Sequence, residues 1–390
     1  MNDILLQRLD RFQRIAIGCA AVGGMTCLVG VITNRPHFFD SYLFAYLFWL
    51  GLSMGSLLLA MIHHLTSGRW GDVTRRFLEA GYMVLPVMAL LFLPIFFGLH
   101  HLYPWARPDE VARDVILQKR HVYSNVPGYV ARTAVLLGLW SWLASRLRRW
   151  SLRQDHTEDL TPTRKARALS GAGVVIYPIT GTFAYVDWVL SLEPHWFSTM
   201  FPIIIFAGQI LSALAFSVIV MVWFKKFEPL RGVVGEMNLY QLGNLMLAFV
   251  LFWTYVAFGQ LLIIYSGNLP PEISWYLHRI AGGWKWLIVG IAAFHFFIPF
   301  YLLLFRPLKK NPCALSLIAA IIFFTGPAVV FWEIKPTFFP HGFELHWLDF
   351  AAFLGLGGIW IGAFITGVKR HPLLLRHDPR IKYQALSHAT

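Results

Sequence analysis

Arg132, Asp187 and Lys285 stand inside long apolar stretches, where an ionisable side chain has few uses. In hydrocarbon such a group is expensive unless paired or hydrated, so it marks an ion pair, a proton relay or a ligand site. Arg132 lies about six residues past the start of its stretch, roughly 9 Å in at a helical rise. Asp187 lies within a turn of the end of the next stretch. An Arg132–Asp187 pair is therefore expected, with Lys285–Glu333 as its counterpart further along, unless the cations snorkel to the interface. The short segment after Asp187 adds Glu193 and His195, and Glu344, His346 and Asp349 cluster near the start of the final stretch. At the opposite ends of the stretches, His63, His64, Glu79 and Tyr82 form a second polar group. Acid–histidine chains of this type can carry protons. Single members read equally well as solvated interfacial residues, and only the set as a whole suggests a proton route.

His295 is the one histidine near the middle of an apolar stretch. A haem b site wants two histidines at matched depth, and His63, His64, His100 and His101 all lie near helix ends. Cys19, Cys27 and Cys313 have no metal-ligand spacing and read as small buried hydrophobes. No metal site and no intrinsic redox cofactor are expected.

These residues must be positioned by membrane-spanning helices. Of 390 residues 57% are apolar and 14% charged, against about 45–50% and about 25% in soluble domains. Ten windows are long enough to cross the hydrocarbon, which takes about 20 apolar residues: 15–32, 41–62, 80–99, 126–145, 168–190, 197–224, 240–265, 280–305, 311–332 and 347–368. The first resembles a signal peptide but lacks a small-residue cleavage site, and it reads as a retained helix. The formal charge of +13 is distributed unevenly. Twenty-four of the 33 Lys and Arg fall in the N-terminal arm, the even-numbered loops and the tail, and seven in the odd-numbered loops. Cytoplasmic loops carry the Lys/Arg excess, so both termini are expected in the cytoplasm. The dense run from Arg146 to Arg167 then faces anionic lipid rather than nucleic acid. No soluble domain is inserted, and residues 1–390 read as a single membrane domain.

The spans show weak internal similarity. Glu79-Ala80-Gly81 in the third lies beside Gln241-Leu242-Gly243 in the seventh, and Thr180-Gly181 before Asp187 matches Thr325-Gly326 before Glu333. The expected fold is all-α integral membrane, with about ten transmembrane helices. Residues 41–190 and 197–332 form two parallel-related four-helix bundles, and 15–32 and 347–368 are flanking helices. Gly51-x-x-x-Gly55 and Gly358-x-x-x-Gly362 permit close helix approach.

Three segments carry a family resemblance: Tyr123-Ser-Asn125-Val-Pro-Gly-Tyr129-Val-Ala-Arg132; Tyr185-Val-Asp187-Trp188-Val-Leu-Ser191-Leu-Glu193-Pro194-His195-Trp196; and Phe252-Trp253-Thr254-Tyr255-Val-Ala-Phe258-Gly259-Gln260, continuing to Tyr265-Ser-Gly267-Asn268-Leu-Pro270-Pro-Glu272. Together the chain resembles the F subunit of bacterial alternative complex III, a quinol-oxidising complex, which is similar to the polysulfide-reductase-type (NrfD-like) membrane subunits. Ser124 and Tyr129 depart from the usual Leu and Phe, while Arg132, Asp187, Glu193 and His195 fall on matching positions. The resemblance implies a bacterial inner-membrane subunit without redox cofactor of its own. It implies partners: a sister ten-helix quinol-binding subunit, an iron–sulfur subunit, and c-type haem subunits. Quinone (menaquinone included) and lipids are implied as ligands, because this type is often called a second quinone-binding subunit. A role in proton translocation is also implied.

Two other classes compete. A secondary transporter with repeats would use mid-membrane polar groups, and Gln209, Asn244, Tyr255, Gln260 and His295 are the ones available. A haem b anchor would need His295 and a second axial ligand. Neither reading implies nucleic-acid binding.

Overall fold

In the computed structural model, which describes residues 3–374, every regular element among the described residues is helical. Helix α1 (Asp3–Thr33) leads through Asn34 into α2 (Arg35–Thr66). The third crossing is broken into α3 (Arg69–Tyr82), α4 (Leu85–Leu91), α5 (Leu93–Phe97) and α6 (Leu99–Leu102). Pro86 and Pro94 explain the first two breaks, since neither can donate to the carbonyl four residues back and each ring crowds it, and the third falls at Gly98. Two short surface helices follow, α7 (Pro108–Arg113) and α8 (Val115–Arg120), and then α9 (Val126–Gln154) and α10 (Thr161–Trp188). The rest of the chain forms α11 (Phe201–Phe224), α12 (Glu236–Gly267) and α13 (Pro270–Ile280). Next come α14 (Trp284–Ile291), a π-helical segment (Ala292–Phe297) and α15 (Ile298–Leu304). Finally there are α16 (Arg306–Lys310), α17 (Pro312–Phe338) and α18 (Trp347–Lys369).

Nine helices or helix runs among the described residues are long and apolar enough to cross a membrane. Ten were expected. The missing one is α9, which has the length (29 residues) but is diluted by Arg132, Ser141 and the basic run from Arg146. Its ends nonetheless reach both polar clusters: Arg132 near its start binds Asp187, and Arg148 near its finish binds Glu79.

Helix α2 is the centre of the packing, with the apolar part of its span wholly buried. It contacts α3, α10, α11, α17 and α18. Gly55 permits the α2–α11 crossing, because a Cβ there would overlap the carbonyl of Gln209. Helices α1 and α18 form the most extensive pair. Gly23 faces Gly355, and Gly358 faces the backbone of Ala16 and Ala20, so the two axes approach at small residues. The ends match: Gln13 of α1 bonds Thr366 of α18 at 2.8 Å.

Candidate functional site: two charged clusters and a polar cavity

The expected Arg132–Asp187 pair forms. Arg132 Nε and Nη2 donate to the two carboxylate oxygens at 2.7 and 3.1 Å, a bidentate geometry that fixes both side chains. The guanidinium also lies over the Tyr123 ring, 3.8 Å from its centroid. Tyr123 is half-buried beside Asp187, and burial together with that carboxylate pushes its phenol up to about 12.

The expected Lys285–Glu333 pair does not form. Lys285 turns toward the Trp286 ring instead. The cation beside Glu333 is Arg279 of α13, whose Nη2 donates to the Glu333 backbone carbonyl at 2.7 Å while Nη1 donates to Glu193 at 2.9 Å. Burial pulls the Arg279 guanidinium below its ordinary range, with Glu193 opposing. The expectation failed because α17 runs to Phe338, past the window end at 332. This brings Glu333 and Lys335 inside the helix, where the Glu333 carbonyl meets Arg279 of α13 and the Lys335 ammonium meets Asp40 of α2.

Lys335 organises a cluster that sequence reasoning missed. Its ammonium is buried between Asp40 (2.9 Å) and Asp349 (2.7 Å). Ser41 bridges the two acids, donating to Asp349 at 2.7 Å. The available signal was Asp40-Ser41 at the mouth of the second window, with Lys335 the lone lysine of the ninth connection on the same side. On the same end, His195 contacts Asp114 at 2.7 Å. Slight burial pushes the Asp114 carboxyl up, but the N–H groups of Ile116 and Leu117 together with His195 outweigh it and hold it below its ordinary range. That contact ties the 102–125 loop to the segment following α10.

At the other end Glu79 is fully buried beneath three guanidiniums. Arg75 Nε donates to it at 3.0 Å and Arg76 Nη1 at 2.7 Å, and Arg148 and Ser151 also donate. Arg76 reaches on to Asp155. The 75/76/79 spacing, neighbours on one helical face, was the legible part. His64 Nδ1 and Ser170 Oγ hydrogen-bond at 2.8 Å, His63 Nε2 lies 3.6 Å from Asp72, and Tyr82 is fully buried one turn from Glu79.

Between the ends lies a cavity with ≈ 30 Å³ open to a water's centre, lined by Tyr185, Gln209, Ser212, His295 and Glu333 among apolar residues. A water needs about 10–15 Å³ by this measure, so the space suits roughly two. Gln209 bonds both Tyr177 and Tyr185. His295 Nδ1 bonds Thr325 Oγ1 at 2.8 Å, and that hydroxyl has the carbonyls of Ile321 and Ile322 as its own acceptors. Nδ1 is therefore the donor, which leaves Nε2 as a buried lone pair with no protein partner among the described residues. Pro299 cannot donate to the His295 carbonyl, and the π-turn that widens the backbone here sits just before it. Asn244, partly buried, makes an interhelical contact, accepting from Lys309 at 2.7 Å.

The structure thus brings together Arg132 with Asp187, Glu193 with Arg279, and Glu333 with His295 around the cavity. It leaves Lys285 apart. No protein-family model and no curated protein matches this chain.

Proposed function

We propose that this chain is the membrane subunit of a bacterial quinol-oxidising electron-transfer complex of the alternative complex III type. It carries no redox cofactor of its own and supports proton translocation beside iron–sulfur, c-type haem and sister ten-helix subunits. The observation that carries the reading is the series of ionisable groups: a charged cluster buried at each end of the helices and, between them, a water-sized and mostly apolar cavity that His295 and Glu333 line. Such a series offers protons alternating sites across the low-dielectric interior, where an isolated charge would be prohibitive.

The organisation proposed is two related four-helix bundles, α2 to α10 and α11 to α17, flanked by α1 and α18. Matching contacts support it. Trp140 donates to Thr180 at 2.9 Å in the first half, as His295 bonds Thr325 in the second. Arg148 reaches Glu79 as Lys309 reaches Asn244. The Lys/Arg distribution supports placing both termini, and the Glu79 cluster, on the cytoplasmic side of the inner membrane.

Affinity purification of the tagged chain from its native membrane tests the assignment. Haem c and iron–sulfur polypeptides should accompany it, and the preparation should oxidise a quinol. Asp187→Asn should then slow proton release while assembly is retained. The broken third crossing favours one alternative, a transporter, since discontinuous helices are common there. Recovery of the chain alone, with substrate counterflow in vesicles, would establish that instead.

A further inference from the structure

A second cavity is larger and of a different character. A groove of ≈ 870 Å³ runs between α1 and α18 on one side and α11 and α17 on the other, lined almost wholly by apolar side chains. On α18 it extends from Asp349 to Ile365, about 24 Å at 1.5 Å per residue. That is most of a hydrocarbon layer about 30 Å thick, so the two ends of the groove fall in opposite leaflets.

The ends differ in charge. At one, Asp349 lines the wall and shares Lys335 with Asp40, and half-exposed Glu344 lies nearby at His37. Three carboxylates to one ammonium leave that end negative. At the other end the wall of α1 turns basic. Phe12, Ile15, Ala16 and Cys19 line the groove at spacings of three and four, hence on one helical face. One turn back from Phe12 and Ile15 on that face stand Arg8 and Arg11, both exposed. The Arg8 guanidinium is held over the Phe227 ring, 5.3 Å from its centroid. Phe227 lies one turn past Trp223, a groove residue that meets Phe12 edge-on at 5.6 Å. Lys225 and Lys226 follow directly after Phe224, where the α11 wall ends. The neighbouring acids are partly spoken for: Asp10 binds Lys369 and Glu236 binds Lys310, which leaves Glu228 against these cations. Guanidiniums at the mouth of an apolar groove, beside a tryptophan at the interface, suit a phosphate head with a hydrocarbon tail.

We infer that the basic half of the groove is a binding site for a phospholipid of net negative head. The phosphate accepts from Arg8 and Arg11, the head lies beside Trp223, and one acyl chain runs along α18 between α1 and α11. Half the hydrocarbon layer is about 15 Å, so the chain follows about ten residues of α18 from Ile365. The negative Asp349 end disfavours the same lipid entering from the other leaflet. By the Lys/Arg distribution the occupied leaflet is the cytoplasmic one. The inference stands on the groove and its charges and does not depend on the proposed function.

The test uses the full chain in phosphatidylcholine nanodiscs, doped with a phosphatidylglycerol or a phosphatidylcholine probe that carries the same diazirine on one acyl chain. Peptide mapping by mass spectrometry locates the label. At equal doping, the phosphatidylglycerol probe should label 9–19 and 219–224 about tenfold more strongly than the phosphatidylcholine probe. Arg8→Gln/Arg11→Gln should bring the two probes level. Arg146→Gln/Arg149→Gln, which removes the same charge from α9, should leave the preference intact. Ile15→Trp, at a half-exposed position on the groove wall, should lower phosphatidylglycerol label with both arginines in place. Equal labelling by the two probes would overturn the inference and mark the groove as filled by unselective bilayer lipid. A preference that survives the Arg8/Arg11 change, or is lost equally in the α9 variant, would overturn it too. So would label confined to other segments or unmoved by Ile15→Trp.

Discussion

Arg132 and Arg148 lie on one helix and face carboxylates at opposite ends of the molecule, yet their surroundings differ. The Arg132 side chain is 26% exposed, so Asp187 retains some access to water. Breaking a buried pair by removing one partner costs about 3–5 kcal/mol; exposure lowers this to about 2 kcal/mol for Arg132→Met. Asp187→Asn in the same chain should recover most of the loss, because no uncompensated carboxylate remains. Thermal unfolding of the four proteins of this cycle in detergent measures the coupling. Glu79 is saturated by donors and fully enclosed. Glu79→Gln removes the carboxylate that Arg75, Arg76 and Arg148 share, leaving Asp155 and Ser151 as remaining acceptors, and a loss of about 3–5 kcal/mol is expected, seen as collapse of the folded yield. Normal yield with altered proton coupling would mark Glu79 as a transfer group. The Arg132–Asp187 pair was legible because each residue is a lone charge in an apolar run. The Lys335 cluster was not, since Asp40, Asp349 and Lys335 are far apart in sequence and each sits at a window edge, where a solvated interfacial charge looks the same.

At the level of elements, apolar run length announced the crossings, but not their interruptions. Pro86 and Pro94 were visible residues, yet proline is tolerated in membrane helices whenever neighbours satisfy the freed carbonyls, so their effect depends on packing. The helix contacts at glycine are more directly testable. Gly55 meets backbone of α11, whereas Gly138 on α9 faces open space. Gly55→Leu should destabilise by about 1–3 kcal/mol through overpacking, and Gly138→Leu should leave the melting midpoint within a degree or two. Equal effects at both sites would mean that the α2–α11 crossing is not the close one.

At the level of the whole molecule, the uneven placement of basic residues between the two sides predicts topology. Single cysteines at Ser67 and Gly232 should be shielded from an impermeant maleimide in intact cells, and one at Glu344 should react. The opposite pattern would invert the molecule. The outward faces of α12, α14 and α15 are rich in Phe, Tyr and Trp, including Phe252, Tyr255, Phe258, Trp286 and Tyr301. These suit lipid or a partner helix, and periodicity alone could not separate them from core aromatics.

The pairing of α1 with α18 has a temporal meaning. The chain is made from its N-terminus, so α1 enters the membrane while its main packing surface, the Gly355–Gly358 stretch, is still unmade. Its glycine face waits while the helices from α2 to α17 are made. A ribosome-arrested product ending before residue 347 should leave α1 open to crosslinking by insertion chaperones, and release of the full chain should close it. Helix α1 thus enters the bilayer well before the helix it packs on most extensively exists.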